Sequence, residues 1–296
     1  MAGELPTERK RVLITVMTYP HPSETYLELV CTAGVTESGE WVRLYPIDYR
    51  YRPRRQQFHK YQWIEVDLLT PEPGKDNRKE SRRPVLDTIQ LVGEKLETKR
   101  DRNWTARREI IDRLPQLTLN QLKQQHDADK EANRPRTSLG VVCPTRVLDL
   151  EIRPAPGEWK PKWKKDIEQL RLFGDPRKPL HKIPFTFHYI FECADTGKKP
   201  HTAMCEDWEL GVLFLNEVER LGSEQAAAES VKKKFLGELC GPKKDTRFFM
   251  GTKYPYNVWL VLGVFWPPKP TEKGPGKPKS QSRGLFDAAD DLDNGV

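Results

Sequence analysis

GEWVRLYPIDYRYRPRRQQFHKYQWIEVDLL, residues 39–69, is the stretch around which the chain can be read. Trp41-Val42-Arg43-Leu44-Tyr45 and Gln62-Trp63-Ile64-Glu65-Val66-Asp67-Leu68 alternate as half-buried strands do. Between them Arg50, Arg52, Arg54, Arg55 and Lys60 are interleaved with Tyr49, Tyr51, Phe58 and Tyr61, and no acid lies between Tyr49 and Gln62. Cations suit a phosphate backbone and flat rings suit unstacked bases. The residues expected to meet nucleic acid are therefore Arg50, Tyr51, Arg52, Arg54, Arg55, His59 and Lys60. Trp41 and Trp63 on the flanking strands complete the expected surface. The plainer reading of the same segment is a connection whose tyrosines cover the end of a barrel.

Outward from this stretch, the first ninety residues read as short strands at regular spacing. They fall at 11–19, 26–35, 41–45, 62–68 and 85–92, with a hairpin turn at Glu37-Ser38-Gly39-Glu40. Such a pattern predicts a small barrel or sandwich. The period then changes to helical at 103–111 and 118–132, with Thr118 as an N-cap. Strands at 138–142 and 146–152 are expected to rejoin the first sheet, which would make the two helices an insertion or cover. Prolines 154, 156, 161, 176 and 179 surround a short helix over 159–173 and mark a boundary.

The second part opens with FTFHYIFEC, whose odd positions Phe185, Phe187, Tyr189, Phe191 and Cys193 form an apolar face. A return strand at 201–205, helices at 207–221 and 223–239, and closing strands at 248–250 and 258–266 follow. The fold class expected is α+β. It has a β-rich, barrel-like domain with a helical insertion over 1–155, a mixed α+β part over 156–266, and a disordered Pro/Gly/Lys tail over 267–296. That tail ends in Leu285, Phe286 and Leu292 among aspartates, the form of a peptide that docks on a protein partner.

The chain has 296 residues, 36% of them hydrophobic and 31% charged, with a net charge of +7. The positive balance favours an anionic partner, nucleic acid before membrane. No apolar run approaches the roughly 20 residues that span a bilayer, so no membrane insertion is expected. Five cysteines without paired spacing point to a reducing, cytoplasmic setting. Phosphate-loop, dinucleotide-binding, serine-hydrolase and zinc-protease motifs are all missing, which disfavours a nucleotide-driven motor or a serine hydrolase.

The stretch richest in chemistry is CADTGKKPHTAMCEDWE, residues 193–209. Cys193, His201 and Cys205 offer thiolate and imidazole ligands of the kind zinc takes. Glu206, Asp207 and Glu209 offer carboxylates that suit magnesium and phosphoryl chemistry, and they are the candidate catalytic residues. Asp207 and Glu209 suit equally well the start of the helix that follows. The functional expectation is a cytoplasmic protein that binds nucleic acid, single-stranded or modified, through the arginine- and tyrosine-rich segment. The alternatives are a metal-dependent nuclease and an adaptor acting through its tail.

Overall fold

A computed structural model describes residues 7–23, 27–70, 76–98, 104–155, 157, 180–253 and 258–270. The expected helix over 159–173 and the docking residues Leu285 and Phe286 lie outside these residues, as does the tail beyond 270.

The protein is α+β, with a closed five-stranded barrel, a mixed sheet and covering helices. The barrel strands are β1 (Thr7–Met17), β4 (Thr32–Thr36), β5 (Trp41–Leu44), β6 (Trp63–Leu69) and β7 (Ser81–Pro84). A short pair, β2 (His21–Ser23) and β3 (Leu27–Leu29), lies between β1 and β4, and β8 (Gln90–Val92) adds to β6. Closure depends on the length of β1. Its first half pairs with β6, from Thr7↔Leu69 to Leu13↔Trp63, and its second half pairs with β4, from Val12↔Thr36 to Met17↔Thr32. Val12, Ile14, Val42, Leu44, Ile64, Val66 and Leu68 fill the interior together with Phe58. At Gly34 a Cβ would collide with the Leu13 carbonyl oxygen, so the closest approach of β4 to β1 needs glycine.

The second sheet runs β11 (Arg146–Pro154), β12 (Phe185–Glu192), β13 (His201–Cys205), β15 (Val258–Phe265), β14 (Arg247–Lys253), β10 (Leu139–Val142) and β9 (Gln116–Leu117). The strands at 138–142 and 146–152 were expected to rejoin the first sheet. They pair instead with β14 and β12 in the second. The composition break at 153–182 reads as a boundary, yet β11 and β12, on either side of it, are neighbours along their length.

One face of this sheet packs on the outside of the barrel. Val16, Ala33 and Val35 meet Leu139, Val141, Phe249, Leu260 and Leu262 there. Phe187, Tyr189 and Phe191 fill the other face, against helices α2 (Leu119–Glu131), α3 (Trp208–Leu221) and α4 (Glu224–Lys232). A first helix, α1 (Thr105–Ile111), precedes β9. The caps are local. Thr118 and Gln121 form a capping box on α2, Asp207 accepts from the Glu209 N–H at 3.0 Å on α3, and Ser223 caps α4.

Two expected elements are subdivided. The strand over 85–92 is a 3₁₀ turn, Leu86–Thr88, followed by β8, because Thr88 turns its hydroxyl onto the Val85 carbonyl at 2.7 Å. The helix over 223–239 gives way after Lys232 to a π-helical turn, Lys233–Glu238.

Candidate nucleic-acid interface

The arginine-rich connection between β5 and β6 is folded onto the barrel as two 3₁₀ turns, Tyr49–Tyr51 and Arg54–Gln56. Its apolar rings point inward. Phe58 is fully buried, and the Tyr49 hydroxyl donates to the Phe58 carbonyl at 2.6 Å. Gln56 reaches the Asp87 carbonyl at 3.1 Å and fastens the connection to the turn after β7.

Folding separates the expected cations into two groups. Arg50, its side chain 9% exposed, is paired with the buried Glu28 at 3.1 Å. Arg52 lies between Asp48 at 2.9 Å and Asp87 at 3.0 Å. Lys60 is only 5% exposed, and its Nζ donates to both oxygens of Asp207, at 3.1 and 3.0 Å, and to Glu209 at 3.0 Å. Apart from Asp48, four residues before Arg52, the opposite charges were invisible in the local sequence because Glu28, Asp87 and Asp207 come from elsewhere in the chain.

Arg54 and Arg55 remain exposed, and among the described residues neither has an ion-pair partner. The Arg52–Asp87 and Gln56–Asp87 contacts tie the segment that carries them to the turn after β7, the strand that carries Arg82 and Arg83. Arg83 is four residues before Asp87, within about 13 Å along the chain. Tyr45, 42% exposed, accompanies them, since its N–H donates to the Arg82 carbonyl at 3.1 Å. Tyr45, Arg82 and Arg83 were not singled out from sequence, although the run Arg82-Arg83 is visible there.

The other expected residues are partly engaged. Trp41 packs edge-on against Phe249, with ring centroids 5.8 Å apart at the seam between barrel and sheet. Trp63 lies under the Arg11 guanidinium at 5.2 Å. Tyr51 and His59 are half-buried, and the His59 N–H donates to Gln62 at 3.1 Å.

The expected zinc ligands do not converge. Cys205 lies opposite Phe187 and His201 opposite Phe191. Cys193 is six residues beyond Phe187, so the two thiols are about 20 Å apart along the strands, and His201 is about 13 Å from Cys205. Both thiols are buried, and burial raises their pKa values. Among the described residues no group of three or more His, Cys, Asp or Glu is placed to hold a metal.

The three candidate catalytic carboxylates are likewise divided. Glu206 is held at about 2, because His21 at 3.7 Å and Lys253 at 3.1 Å outweigh the opposing effect of its burial. Asp207 is 1% exposed and has four donor contacts: two from Lys60, one from the Glu209 N–H and one from the Val264 N–H at 3.3 Å. Burial lowers the Lys60 pKa, but Asp207 and Glu209 more than reverse this and hold the ammonium charged. Glu209 is half exposed. The strand carboxylates Glu65 and Asp67 share Arg9, at 3.4 and 3.0 Å.

A family model described as a domain of unknown function (DUF8757) matches residues 114–290. The chain belongs to that family. A second model, also described as a domain of unknown function (DUF8758), matches residues 8–113 of this DUF8757 chain. No curated protein matches the sequence. Among solved structures, a murine DNA binding protein bound with double-stranded DNA aligns over 93% of this chain and 100% of its own. Its identity is 10% and its TM-score 0.30, a likeness too slight to bear on function. Among the described residues no helix is long and apolar enough to cross a membrane.

Proposed function

We propose that this chain binds nucleic acid through the arginine-bearing end of its barrel. The supporting observation is the pairing pattern. Arg50, Arg52 and Lys60 are neutralised within the protein, whereas Arg54 and Arg55 stand at the surface with no carboxylate partner among the described residues. Unpaired surface guanidinium groups bind phosphates and release counterions. Tyr45 adds an exposed ring at the same end, so a single strand is the form that engages both the cations and the ring.

The test is a fluorescence-anisotropy titration of a single-stranded oligonucleotide and of a duplex at several salt concentrations. The Arg54→Ala/Arg55→Ala variant should bind more weakly. It should lose about 1.4 from the log–log salt slope on a single strand, or about 1.8 on a duplex, for two lost phosphate contacts. Unchanged affinity and slope in the folded variant would remove this end of the barrel from consideration.

A further inference from the structure

The seam between the barrel and the second sheet holds a cluster of charges that begins on β5 at Arg43, two residues before Tyr45. Arg43 stands between Val42 and Leu44, both of which point into the barrel, so its own side chain points out toward the sheet. It is 4% exposed. Its Nη2 donates to the Ser138 carbonyl at 3.1 Å and to the Ser138 hydroxyl at 3.3 Å. A Cβ on residue 251 would stand 3.1 Å from that nitrogen, so Gly251 leaves the guanidinium its space.

The carboxylates around Arg43 are each accounted for. Asp76 is gripped by Arg78, Nε to Oδ1 at 3.0 Å and Nη2 to Oδ2 at 2.6 Å. Glu80 is buried and accepts from the Ser138 N–H at 3.1 Å and from the Ser138 hydroxyl at 2.7 Å. Glu206 is held by Lys253 and His21. Arg43 has no carboxylate within ion-pair distance among the described residues, Glu80 acting on it only across the shared Ser138, and its Nε is buried with no acceptor. Burial, followed by repulsion from Arg78, pulls its pKa down to about 10. A desolvated guanidinium with an orphaned N–H is costly, and the cost disappears when an oxyanion accepts from it. Cys31 lies in the same field, acted on by Arg43, Arg78 and Glu206. Lys253, about half exposed, adds a cation where Glu206 meets solvent.

We infer that this seam is an oxyanion site, in which the Nε of Arg43 takes a phosphate group. The chemistry is shared by free phosphate, a nucleotide and the terminal phosphate of a nucleic acid. The site does not depend on the barrel-end reading.

The experiment follows the arginine Nε–H resonances of the full chain while inorganic phosphate is added at constant ionic strength, with calorimetry in parallel. The Arg43 resonance should move saturably at one equivalent per chain, and Arg43→Gln should weaken binding at least tenfold. Arg54→Ala/Arg55→Ala should leave the effect intact, which separates this site from the barrel end. Repeating the titration with a nucleoside monophosphate, and with 5′-phosphorylated and 5′-hydroxyl oligonucleotides, identifies the source of the phosphate. An Arg43 resonance unmoved by every phosphate source up to about 10 mM would overturn the assignment, because a directed charge-assisted contact should be tighter than that. Binding unchanged in a folded Arg43→Gln protein would overturn it as well.

Discussion

Replacing Lys60 by Met is the most direct test of how the barrel is joined to the rest of the protein. The ammonium contacts both oxygens of Asp207 at 3.0–3.1 Å, with side-chain exposures of 5% and 1%, so solvent screens the pair very little. Removing one member leaves Asp207 buried against two backbone N–H groups and no cation. Breaking a buried pair on one side costs about 3–5 kcal/mol. Glu209 is half exposed and its share is about 1 kcal/mol or less. For a chain of this size the loss corresponds to a fall in Tm of roughly 5–8 °C.

Thermal melting of Lys60→Met, Asp207→Asn and the double variant, with Arg134→Met as an exposed-pair control, measures this. The double variant should be less destabilised than the sum of the singles, with a coupling of at least about 1 kcal/mol. A Lys60→Met protein that melts within a degree or two of the Arg134→Met control would refute the argument. So would additive single effects.

Arg50→Ala should act as a stability variant, lowering Tm by leaving Glu28 buried without its cation, while the folded protein keeps its salt slope for nucleic acid. A lost salt slope with unchanged Tm would return Arg50 to the binding surface. Glu206 sits below its ordinary value of 4.5, at about 2, so its contribution is complete above pH 4.5 and is lost as pH falls toward 2. That contribution is at most about 3 kcal/mol, since Lys253 and His21 are half exposed. Glu206→Gln should flatten the Tm–pH curve in that window, and parallel curves for the two proteins would count against the pairing. Gly34→Ala should destabilise by about 2 kcal/mol or more, because the methyl group meets backbone at the Leu13 carbonyl. Gly237→Ala, which meets nothing within 4 Å, is the control, and equal effects in the two would contradict the steric account.

Much of the fold was legible because its causes are local. Strand alternation in FTFHYIFEC, the Thr118 N-cap and the Asp207 cap depend on residues within a turn or two of each other. Periodicity placed β5, β6, β12, β13 and α3 within a residue or two of their observed ends. The pairing of β10 and β11 was not legible. A short apolar strand next to a proline suits any open edge, and only the competition among edges in the folded chain assigns it to one sheet.

The sites were harder still, because a charge acquires its meaning from the countercharge it meets. By sequence alone Arg50, Arg54 and Lys60 are equivalent cations in a segment free of acids. In the fold Arg50 meets Glu28, Lys60 meets Asp207 from 147 positions away, and Arg54 meets solvent. Cys193, His201 and Cys205, close in the chain, are spread along two extended strands at about 3.3 Å per residue. Arg43, Arg78 and Ser138 form one cluster although Arg43 and Ser138 are 95 residues apart. Composition and periodicity determined that this chain is a basic α+β protein with a β-rich beginning. Only tertiary structure decided which cations are spent on the fold and which face outward, because Coulomb and hydrogen-bond energies depend on distance in space.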